Sequence, residues 1–323
     1  MDKLELHLTY KEREEFIKPF HAKARDIKGS DYYHCEVKID GELYTSYVNY
    51  FEFFYDGQDL RETYEIIYDL KSFLERPIEE ATIIDAPQLP KNIIVAFEYA
   101  LIKYYIKHST HHCFFTQDNT VKINLLFQSI KTNEVKKGDV IKYKITPTPN
   151  IGEVIKNLEL MSNKGAIIRL DGNRSLDPDQ IESLFYNLSP EVIASIEYFE
   201  EPFDTLDKWS HLVCSQDIPQ AIDESFKFNE RSSIAEDINH IIIKFGVNCS
   251  VFEYFQLKKD DRKWQITITS GFEAPKLFNL ATHLASRERN AAGLSTFMFF
   301  KNGLKLIKDY SKEESIIKAF RLI

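Results

Sequence analysis

The sequence predicts an α/β protein in which a (β/α) barrel follows a smaller α+β domain. Five short apolar runs between residues 141 and 244 each end in a charged residue. These charged residues recur at intervals of roughly 20 to 30 residues, close to the ~30 residues of one strand, one helix and their loops. Strands that are apolar on both faces are typical of a parallel sheet covered by helices. The five terminal residues are Lys144, Asp171, Glu200, Asp223 and Lys244.

Residues 1–115 have the pattern of the α+β domain. Up to about residue 55, apolar and polar residues alternate in short runs, which predicts antiparallel strands with a turn at Asp40-Gly41. Helical periodicity predicts one helix over 60–74 and another over 92–107. No Gly/Ser-rich linker follows this domain, so we expect it to dock tightly on the rest of the chain.

Residues 116–302 are predicted to form the barrel. A helix-like segment over about 311–320, in the tail of residues 303–323, is predicted to pack back on the barrel or on the first domain. Eight strands are expected, which is the number in a closed (β/α) barrel. The predicted strands are 121–128, 141–145, 166–171, 195–200, 219–223, 240–244, 263–270 and 294–300.

Polar residues mark the beginnings of two predicted barrel helices. Asn150 is a suitable N-cap for a helix over 151–162. Asp177 followed by Pro178 suits the first turn of a second helix. A third helix is predicted over 274–289.

Composition narrows the classes of partner and the compartment. The net charge of -9 and the lack of a long basic run argue against nucleic acid as a partner. The charged N-terminal sequence is not that of a signal peptide, and no apolar run is long enough for a membrane helix. The cysteines lie far apart, as reduced packing residues would, so we expect a cytoplasmic protein. Composition leaves the oligomeric state open. The cysteines are Cys35, Cys113, Cys214 and Cys249.

Two lysines are predicted to face the same side of the second barrel strand. Side chains alternate along a strand, so Lys142 and Lys144 point in one direction. A second ammonium group nearby, together with partial burial, would make Lys144 lose its proton more readily than a free lysine. A general base needs this property. The alternative for a Lys-x-Lys run is one solvated face of a strand.

Three carboxylates are predicted to end consecutive barrel strands. Asp171, Glu200 and Asp223 would then converge at the C-terminal face, where barrels of this kind place their chemistry. Oxygen ligands with no His or Cys nearby favour Mg²⁺ over zinc. The alternative is three unrelated carboxylates that cap helices at strand-to-helix turns.

Five short motifs lie on these strand ends: IKYKI at 141–145, LDGNR at 170–174, FEEP at 199–202, IDES at 222–225 and IIIK at 241–244. In combination they are similar to the enolase superfamily and, within it, to the muconate-lactonising subgroup. The short chain and the LDGNR and IDES segments most resemble the o-succinylbenzoate synthase family. The resemblance covers residues 120–300 well and reaches the first domain only loosely.

The resemblance implies roles for the charged residues. Lys144 matches the catalytic base of the family, and Lys244 matches the lysine on the opposite side of the substrate. Asp171, Glu200 and Asp223 match the ligands of a Mg²⁺ ion, for which Mn²⁺ is the other suitable metal. The implied fold is an α+β capping domain on a modified TIM barrel.

The resemblance also implies a lyase with a small-molecule carboxylate as its substrate. The reaction would be the loss of water from 2-succinyl-6-hydroxy-2,4-cyclohexadiene-1-carboxylate, giving o-succinylbenzoate for menaquinone biosynthesis. Removing a proton next to a carboxylate creates an enediolate, whose negative charge a metal ion stabilises. Lys144 would take this proton and then help the hydroxide leave, while Lys244 would stay protonated.

Weaker predictions concern substrate contacts at Lys142, Arg169, Asn173, Ser270 and Gly271. Arg169 would face inward and bind a substrate carboxylate, or form a structural ion pair. Asn173 would orient a ligand or serve a turn. The TSGFEA segment resembles a serine-rich segment of the family, but Gly271 stands where the family has a serine, so only its backbone N–H would serve there.

Other activities share the two-lysine site. N-succinylamino acid racemase, dipeptide epimerase and muconate cycloisomerase are the alternatives within the superfamily. Dipeptide epimerases generally carry Asp-x-Asp near the last strand, and FMFFKNG at 297–303 has none. A non-catalytic barrel that only binds a ligand is the alternative from another class. That alternative predicts a disrupted site, whereas all five charged positions are present.

Overall fold

An antiparallel sheet opens the fold, and its strands are β1 (Asp2–Ala22), β2 (Arg25–Ile39), β3 (Glu42–Tyr50) and β4 (Thr63–Tyr68). Their spatial order is β3-β2-β1-β4. The predicted turn at Asp40-Gly41 is confirmed, since both residues have positive φ angles (48° and 79°) and join β2 to β3. The computed structural model describes residues 1–22, 25–55, 57–84, 86, 88–127, 132–209, 218–303, 310–311, 315–319 and 321–322.

The helices lie between and after these strands. They are α1 (Glu52–Tyr55), α2 (Leu70–Leu74), α3 (Lys91–His108), α4 (Ile151–Asn163), α5 (Pro178–Tyr186), α6 (Pro190–Ala194), α7 (Val251–Lys259) and α8 (Pro275–Ala285). The predicted caps are confirmed: the Asn150 side chain accepts the N–H of Glu153, and Asp177 accepts that of Asp179. The prediction of one helix over 60–74 is wrong in its first part, which is β4.

Residues 63–68 form a strand, β4, because they pair with β1, which is distant in the sequence. Tyr64, Ile66 and Tyr68 alternate with exposed residues and are buried. They form a ladder with the beginning of β1, in which Leu4 pairs with Ile66. A period of two therefore overrides the helical period that also fits this stretch.

Helix α3 is buried on nearly all sides. It packs against β3, and the Ser46 hydroxyl donates to the carbonyl of Ala96 at 2.6 Å. Such a helix lies between two layers rather than on a surface. Among the described helices, α3 included, none combines the length and the apolar character needed to cross a membrane.

A parallel sheet of seven strands follows, and its strands lie side by side in the order in which they occur along the chain. Sequence order and spatial order agree, as expected for strands linked by short crossovers. The second to seventh predicted barrel strands are confirmed in type and place, apart from their exact bounds. The strands are β6 (Leu125–Leu126), β7 (Val140–Lys144), β8 (Ile167–Asp171), β9 (Ile196–Glu200), β10 (Gln220–Ile222), β11 (His240–Ile243) and β12 (Gln265–Ile268).

The eighth predicted barrel strand, 294–300, is wrong. Residues Ser295–Phe299 form a 3-10 helix. Isolated parallel bridges link Ala292 to Ile123 at one edge of the sheet and Gly293 to Thr269 at the other. A Cβ on Gly293 would overlap the Thr269 side chain, so a glycine permits this approach. The described chain thus has a curled sheet of seven strands in place of the predicted closed eight-stranded barrel.

The C-terminal tail forms strands, so the helix predicted over 311–320 is wrong in the described residues. β13 (Tyr310–Ser311) pairs with β14 (Ile316–Ala319), and β14 pairs with β5 (Asn119–Lys122). The first predicted barrel strand, 121–128, is therefore divided between β5 and β6. Its end, like parts of the tail, lies outside the described residues.

The cysteines of the described segments are free and buried, namely Cys35, Cys113 and Cys249. This agrees with the prediction of reduced packing residues. Cys214 lies outside the described residues.

A buried carboxyl joins the antiparallel domain to the parallel sheet. Glu98 on α3 is fully buried and accepts hydrogen bonds from the Ser250 hydroxyl and from the backbone N–H groups of Val251 and Phe252, at 2.7, 2.7 and 3.3 Å. These groups begin α7, where free N–H groups need acceptors. Burial raises the pKa of Glu98 to about 8, although these hydrogen bonds oppose the shift.

The raised pKa makes the stability of the fold depend on pH. The folded chain holds the Glu98 proton more tightly than the unfolded chain, so the contribution is complete below the ordinary value of 4.5 and is lost as the pH rises to about 8. We expect the free energy of unfolding to fall over this interval by on the order of 4 kcal/mol more in the wild type than in Glu98→Gln. Urea unfolding at pH 5, 7 and 9 measures the difference, and identical pH profiles would contradict it.

Candidate active site

The C-terminal edge of the parallel sheet carries all five charged residues that the sequence singles out. On adjacent strands, Lys144 pairs with Asp171, and Asp171 pairs with Glu200. Asp223 directly follows β10, and Lys244 directly follows β11. The parallel register therefore places these residues at one edge of the sheet.

Lys142 is the cation between the first two carboxylates. Its Nζ lies 2.8 Å from Asp171 Oδ2 and 2.8 Å from Glu200 Oε1. Burial lowers the pKa of Lys142, but the charges of Asp171 and Glu200 outweigh burial and raise it well above its ordinary value. Burial raises the pKa of Asp171, yet Lys142 and Lys144 hold it below its usual range. Lys142 is thus a fixed ammonium group that keeps Asp171 ionised.

Lys144 lies at the exposed margin of this group of charges. Its side chain is 43% exposed, and its Nζ lies 3.6 Å from Asp171 Oδ2. Lys142 Nζ lies against the same oxygen of Asp171, so a second ammonium group is close to Lys144, and more than half of the Lys144 side chain is covered. That Lys144 loses its proton more readily than a free lysine stays a prediction. The exposed part of the Lys144 side chain is accessible to a small molecule at this edge of the sheet.

Lys244 is buried and lies against two carboxylates. Its Nζ forms ion pairs with Asp223 and, at 2.6 Å, with Glu224, and it lies 5.5 Å from the centroid of the Phe54 ring. Burial lowers the pKa of Lys244, but Asp223 and Glu224 raise it above its ordinary value. Burial and the Glu224 carboxylate also raise the pKa of Asp223, although Lys244 opposes this shift. Lys244 therefore remains an ammonium group.

Three polar residues at this edge were not identified from the sequence. Glu224 directly follows Asp223 and pairs with Lys244. Asn248 donates to the carbonyls of Asp223 and Ile242 at 2.9 and 2.8 Å, which fixes the turn after β10. Glu201, the second glutamate of FEEP, accepts the N–H of Asp223 at 3.0 Å. The turn sequences contain these residue types, but only the fold shows which backbone groups they meet.

The donor chemistry at this edge fits a divalent cation. Asp171, Glu200 and Asp223 are no more than 3% exposed and offer only oxygen atoms, which are the ligands that Mg²⁺ and Mn²⁺ prefer. The two oxygens on Lys142 lie no farther apart than twice 2.8 Å. Within the described segments, however, no three His, Cys, Asp or Glu side chains lie close enough together to form a complete metal centre. The shared metal site remains a prediction.

Arg169 and Asn173 have protein partners. The Arg169 guanidinium is 1% exposed, donates to Glu197 at 2.5 Å and to the carbonyl of Ala291 at 2.7 Å, and stacks on Tyr198. This is the structural ion pair of the two alternatives. Asn173 is exposed with a φ of 45°, and its backbone N–H donates to Asp171 at 3.0 Å. Its contribution is therefore to the turn that holds Asp171.

Ser270 and Gly271 are engaged by a neighbouring carboxyl. The Ser270 hydroxyl donates to Glu273 at 2.6 Å, and the N–H of Gly271 donates to Glu273 at 2.7 Å. The Gly271 N–H was expected to donate to a substrate, but in the structure its acceptor is Glu273.

Comparisons with known proteins identify solved structures that share this fold. No protein-family model matches the chain, and no curated protein matches its sequence. Solved structures do match it. The L-Ala-D/L-Glu epimerase from Bacillus subtilis is 17% identical with a TM-score of 0.67, over 99% of this chain and 97% of that chain. The N-succinyl Arg/Lys racemase from Bacillus cereus is 13% identical with a TM-score of 0.65, over 99% and 94%.

A third matching structure is described as a member of the enolase superfamily. An enolase-superfamily protein of unknown function from Enterococcus faecalis is 14% identical, with a TM-score of 0.68 over 99% of this chain and 93% of that chain. Each match spans nearly all of both chains. At these identities the likeness establishes the fold: a curled parallel sheet with an antiparallel domain, shared with enolase-superfamily proteins.

The Lys142 ion pairs generate a stability prediction. Lys142→Met would leave Asp171 and Glu200 buried without their shared cation, and removing one partner of a buried ion pair costs about 3–5 kcal/mol. We expect a loss of this size in the free energy of unfolding, measured by urea denaturation at pH 7. Lys137→Met, at an exposed lysine on the opposite edge of the sheet, is the matched control. Equal stability of the two variants would contradict the assignment.

Proposed function

We propose that the chain is an enzyme that removes the proton next to the carboxylate of a small organic acid. One observation carries this proposal: Lys144 and Lys244 lie at the C-terminal edge of the parallel sheet, and three buried carboxylates lie between them along this edge. Lys144 lies beside Asp171, and Lys244 lies against Asp223. The shared fold with enolase-superfamily structures supports the same class of chemistry.

A divalent metal ion is the proposed cofactor. Asp171, Glu200 and Asp223 are the residues that would hold Mg²⁺ or Mn²⁺. When bound, such an ion supplies positive charge that stabilises the anion formed from the substrate. Lys142 keeps Asp171 in the ionised form that ligation requires.

The two lysines differ in a way that bears on the type of reaction. The Lys144 side chain is 43% exposed and lies near one carboxylate, whereas the Lys244 side chain is 9% exposed and contacts two. A base must give up its proton to act, and two adjacent carboxylates oppose that at Lys244. This asymmetry favours a reaction with one base over a racemisation with two.

The proposed sequence of steps follows from this asymmetry. Lys144, in its neutral form, takes the proton next to the substrate carboxylate. The resulting ammonium group then donates this proton to the leaving hydroxyl on the same face, so that water departs. Lys244 remains an ammonium group throughout and stabilises the negative charge from the other side.

Within this class we propose o-succinylbenzoate synthase, a lyase that dehydrates 2-succinyl-6-hydroxy-2,4-cyclohexadiene-1-carboxylate. The LDGNR and IDES segments and the single-base arrangement support this choice. N-succinylamino acid racemase is the second candidate, supported by the fold shared with the Bacillus cereus structure of that name. Both reactions begin with the same proton transfer and differ in its consequence.

The deciding experiment compares the two activities in one preparation. Conversion of the cyclohexadiene carboxylate is followed by ultraviolet absorbance, beside polarimetry of N-succinylamino acids. We expect dehydration that stops with EDTA and returns with Mg²⁺. Racemisation without dehydration would transfer the assignment to the second candidate. Neither activity, with no effect of Mg²⁺ on thermal stability, would favour the ligand-binding alternative.

Removal of the proposed base should abolish turnover. Lys144→Ala is expected to lower kcat by about two to four orders of magnitude, the usual contribution of a general base. Mg²⁺ binding, measured by calorimetry, should change little, because Lys144 is at the exposed margin of the site. Lys156→Ala, an exposed lysine on α4, is the control. Substantial turnover in Lys144→Ala would exclude Lys144 as the base.

A single base should also act on one face of the substrate. In D₂O we expect deuterium to enter one enantiomer of N-succinylphenylalanine at least ~100-fold faster than the other, since only Lys144 transfers protons. Nuclear magnetic resonance measures the loss of the α-proton signal for the L and D compounds separately. Comparable exchange of both enantiomers, with racemisation, would contradict the single-base assignment.

A further inference from the structure

The turn of residues 270–273, which follows β12, lies beside Lys244. A Cβ on Gly271 would lie 3.2 Å from Val247 Cγ2 and 3.9 Å from Lys244 Cβ. The backbone of the turn is therefore part of the wall next to the Lys244 side chain. We refer to residues 270–273 as the interdomain turn.

Glu273 holds the interdomain turn from within. It is 5% exposed, and its two carboxyl oxygens accept from the Ser270 hydroxyl at 2.6 Å and from the Gly271 N–H at 2.7 Å. The N–H of Phe272 in turn donates to the Ser270 hydroxyl at 3.0 Å. The carboxyl thus satisfies a buried donor of the turn and fixes the hydroxyl that satisfies another, as buried polar groups require.

The outer side of the interdomain turn binds the antiparallel domain. Asn49 Nδ2 donates to the carbonyl of Gly271 at 3.1 Å, and the Ser30 hydroxyl donates to the carbonyl of Phe272 at 2.8 Å. Both donors are 2% exposed. One side of the turn therefore contacts the parallel-sheet domain, and its carbonyl groups contact the antiparallel domain.

Phe272 has an unusual backbone conformation that serves this contact. Its φ is 62°, a left-handed value that is unfavourable for a bulky residue. Its ring packs against Phe51 and Phe16, with centroid distances of 4.4 and 5.4 Å, in a cluster shared by the two domains. A strained conformation persists only where its surroundings determine it, and here they are the Glu273 hydrogen bonds and the aromatic cluster.

We propose that Glu273 is a positioning residue, which fixes the interdomain turn and through it sets how the antiparallel domain covers Lys244. The connection runs along a short path. Asn49 lies three residues before the beginning of α1. This helix carries Phe54, whose ring lies over the Lys244 ammonium. Without the carboxyl, the Gly271 and Phe272 carbonyls lose their fixed positions, and the Asn49 and Ser30 hydrogen bonds weaken with them.

The effect should be local. Other contacts also join the domains, among them the carboxyl of Glu98 at α7 and the Tyr55 hydroxyl, which donates to the carbonyl of Gly246 at 2.7 Å. These contacts do not involve the interdomain turn. The fold should therefore survive the loss of Glu273, while residues 46–54 lose protection.

Hydrogen–deuterium exchange with mass spectrometry tests the proposal without any assumption about activity. In Glu273→Ala, peptides that cover residues 46–54 and 270–273 should exchange about tenfold faster or more than in the wild type, while peptides from α3 and α7 stay unchanged. Burial raises the pKa of Glu273, so Gln approximates its neutral form and retains the acceptor for Gly271. Glu273→Gln should therefore restore most of the protection. Glu230→Gln, at an exposed glutamate, is the control.

Two results would overturn the proposal. One is unchanged exchange over residues 46–54 in Glu273→Ala. The other is faster exchange throughout the chain, α3 included, in both Glu273 variants, which would mean that Glu273 stabilises the whole fold. A second readout rests on the proposed function: Glu273→Ala should raise KM about tenfold with a much smaller change in kcat, and Glu273→Gln should restore KM. An inactive wild type would contradict the proposed function and leave the exchange test decisive for Glu273.

Discussion

The structure depends on the neutralisation of carboxylates buried at the C-terminal edge of one parallel sheet. Asp171, Glu200 and Asp223 are almost inaccessible to solvent, and an isolated charge in such a place is strongly destabilising. Lys142 and Lys244 supply the opposite charges from the same edge. The arrangement requires the observed register, because a shift of one residue would move each side chain to the other face of its strand.

Much of the parallel sheet could be predicted because its signals are local. Runs such as AIIRLD and HIIIK are apolar on both faces and end in a charge, and Asn150 and Asp177 mark helix starts through contacts within one turn. The failures concern elements whose partners are distant in sequence. β4 is a strand because β1 lies beside it, and β14 is a strand because β5 does. Likewise, Ala292 and Gly293 contact the two sheet edges through single bridges, which no periodicity in LSTFMFF indicates.

The location of the candidate site was predictable for the same reason, whereas its internal pairing was not. Strand ends and a side-chain period of two place Lys142, Lys144 and Asp171 together. Which ammonium group lies between which carboxylates depends on side-chain conformation and on burial from other elements. Lys142, predicted as the ammonium neighbour of Lys144 and as a weak substrate contact, lies between Asp171 and Glu200, and Lys144 is the more exposed lysine. Glu224 and Glu273 enter through contacts made across turns, which the sequence alone does not define.

The unequal environments of Lys144 and Lys244 connect the fold to the proposed chemistry. A sheet edge alone would expose both lysines in a similar way, since each ends or follows a strand. The difference arises because Glu224 and the Phe54 ring enclose Lys244, and Phe54 belongs to the antiparallel domain. That domain therefore does more than cover the sheet, because it also helps to enclose Lys244. The proposed single-base reaction thus depends on the packing of one domain on the other, which encloses Lys244 and leaves Lys144 more exposed.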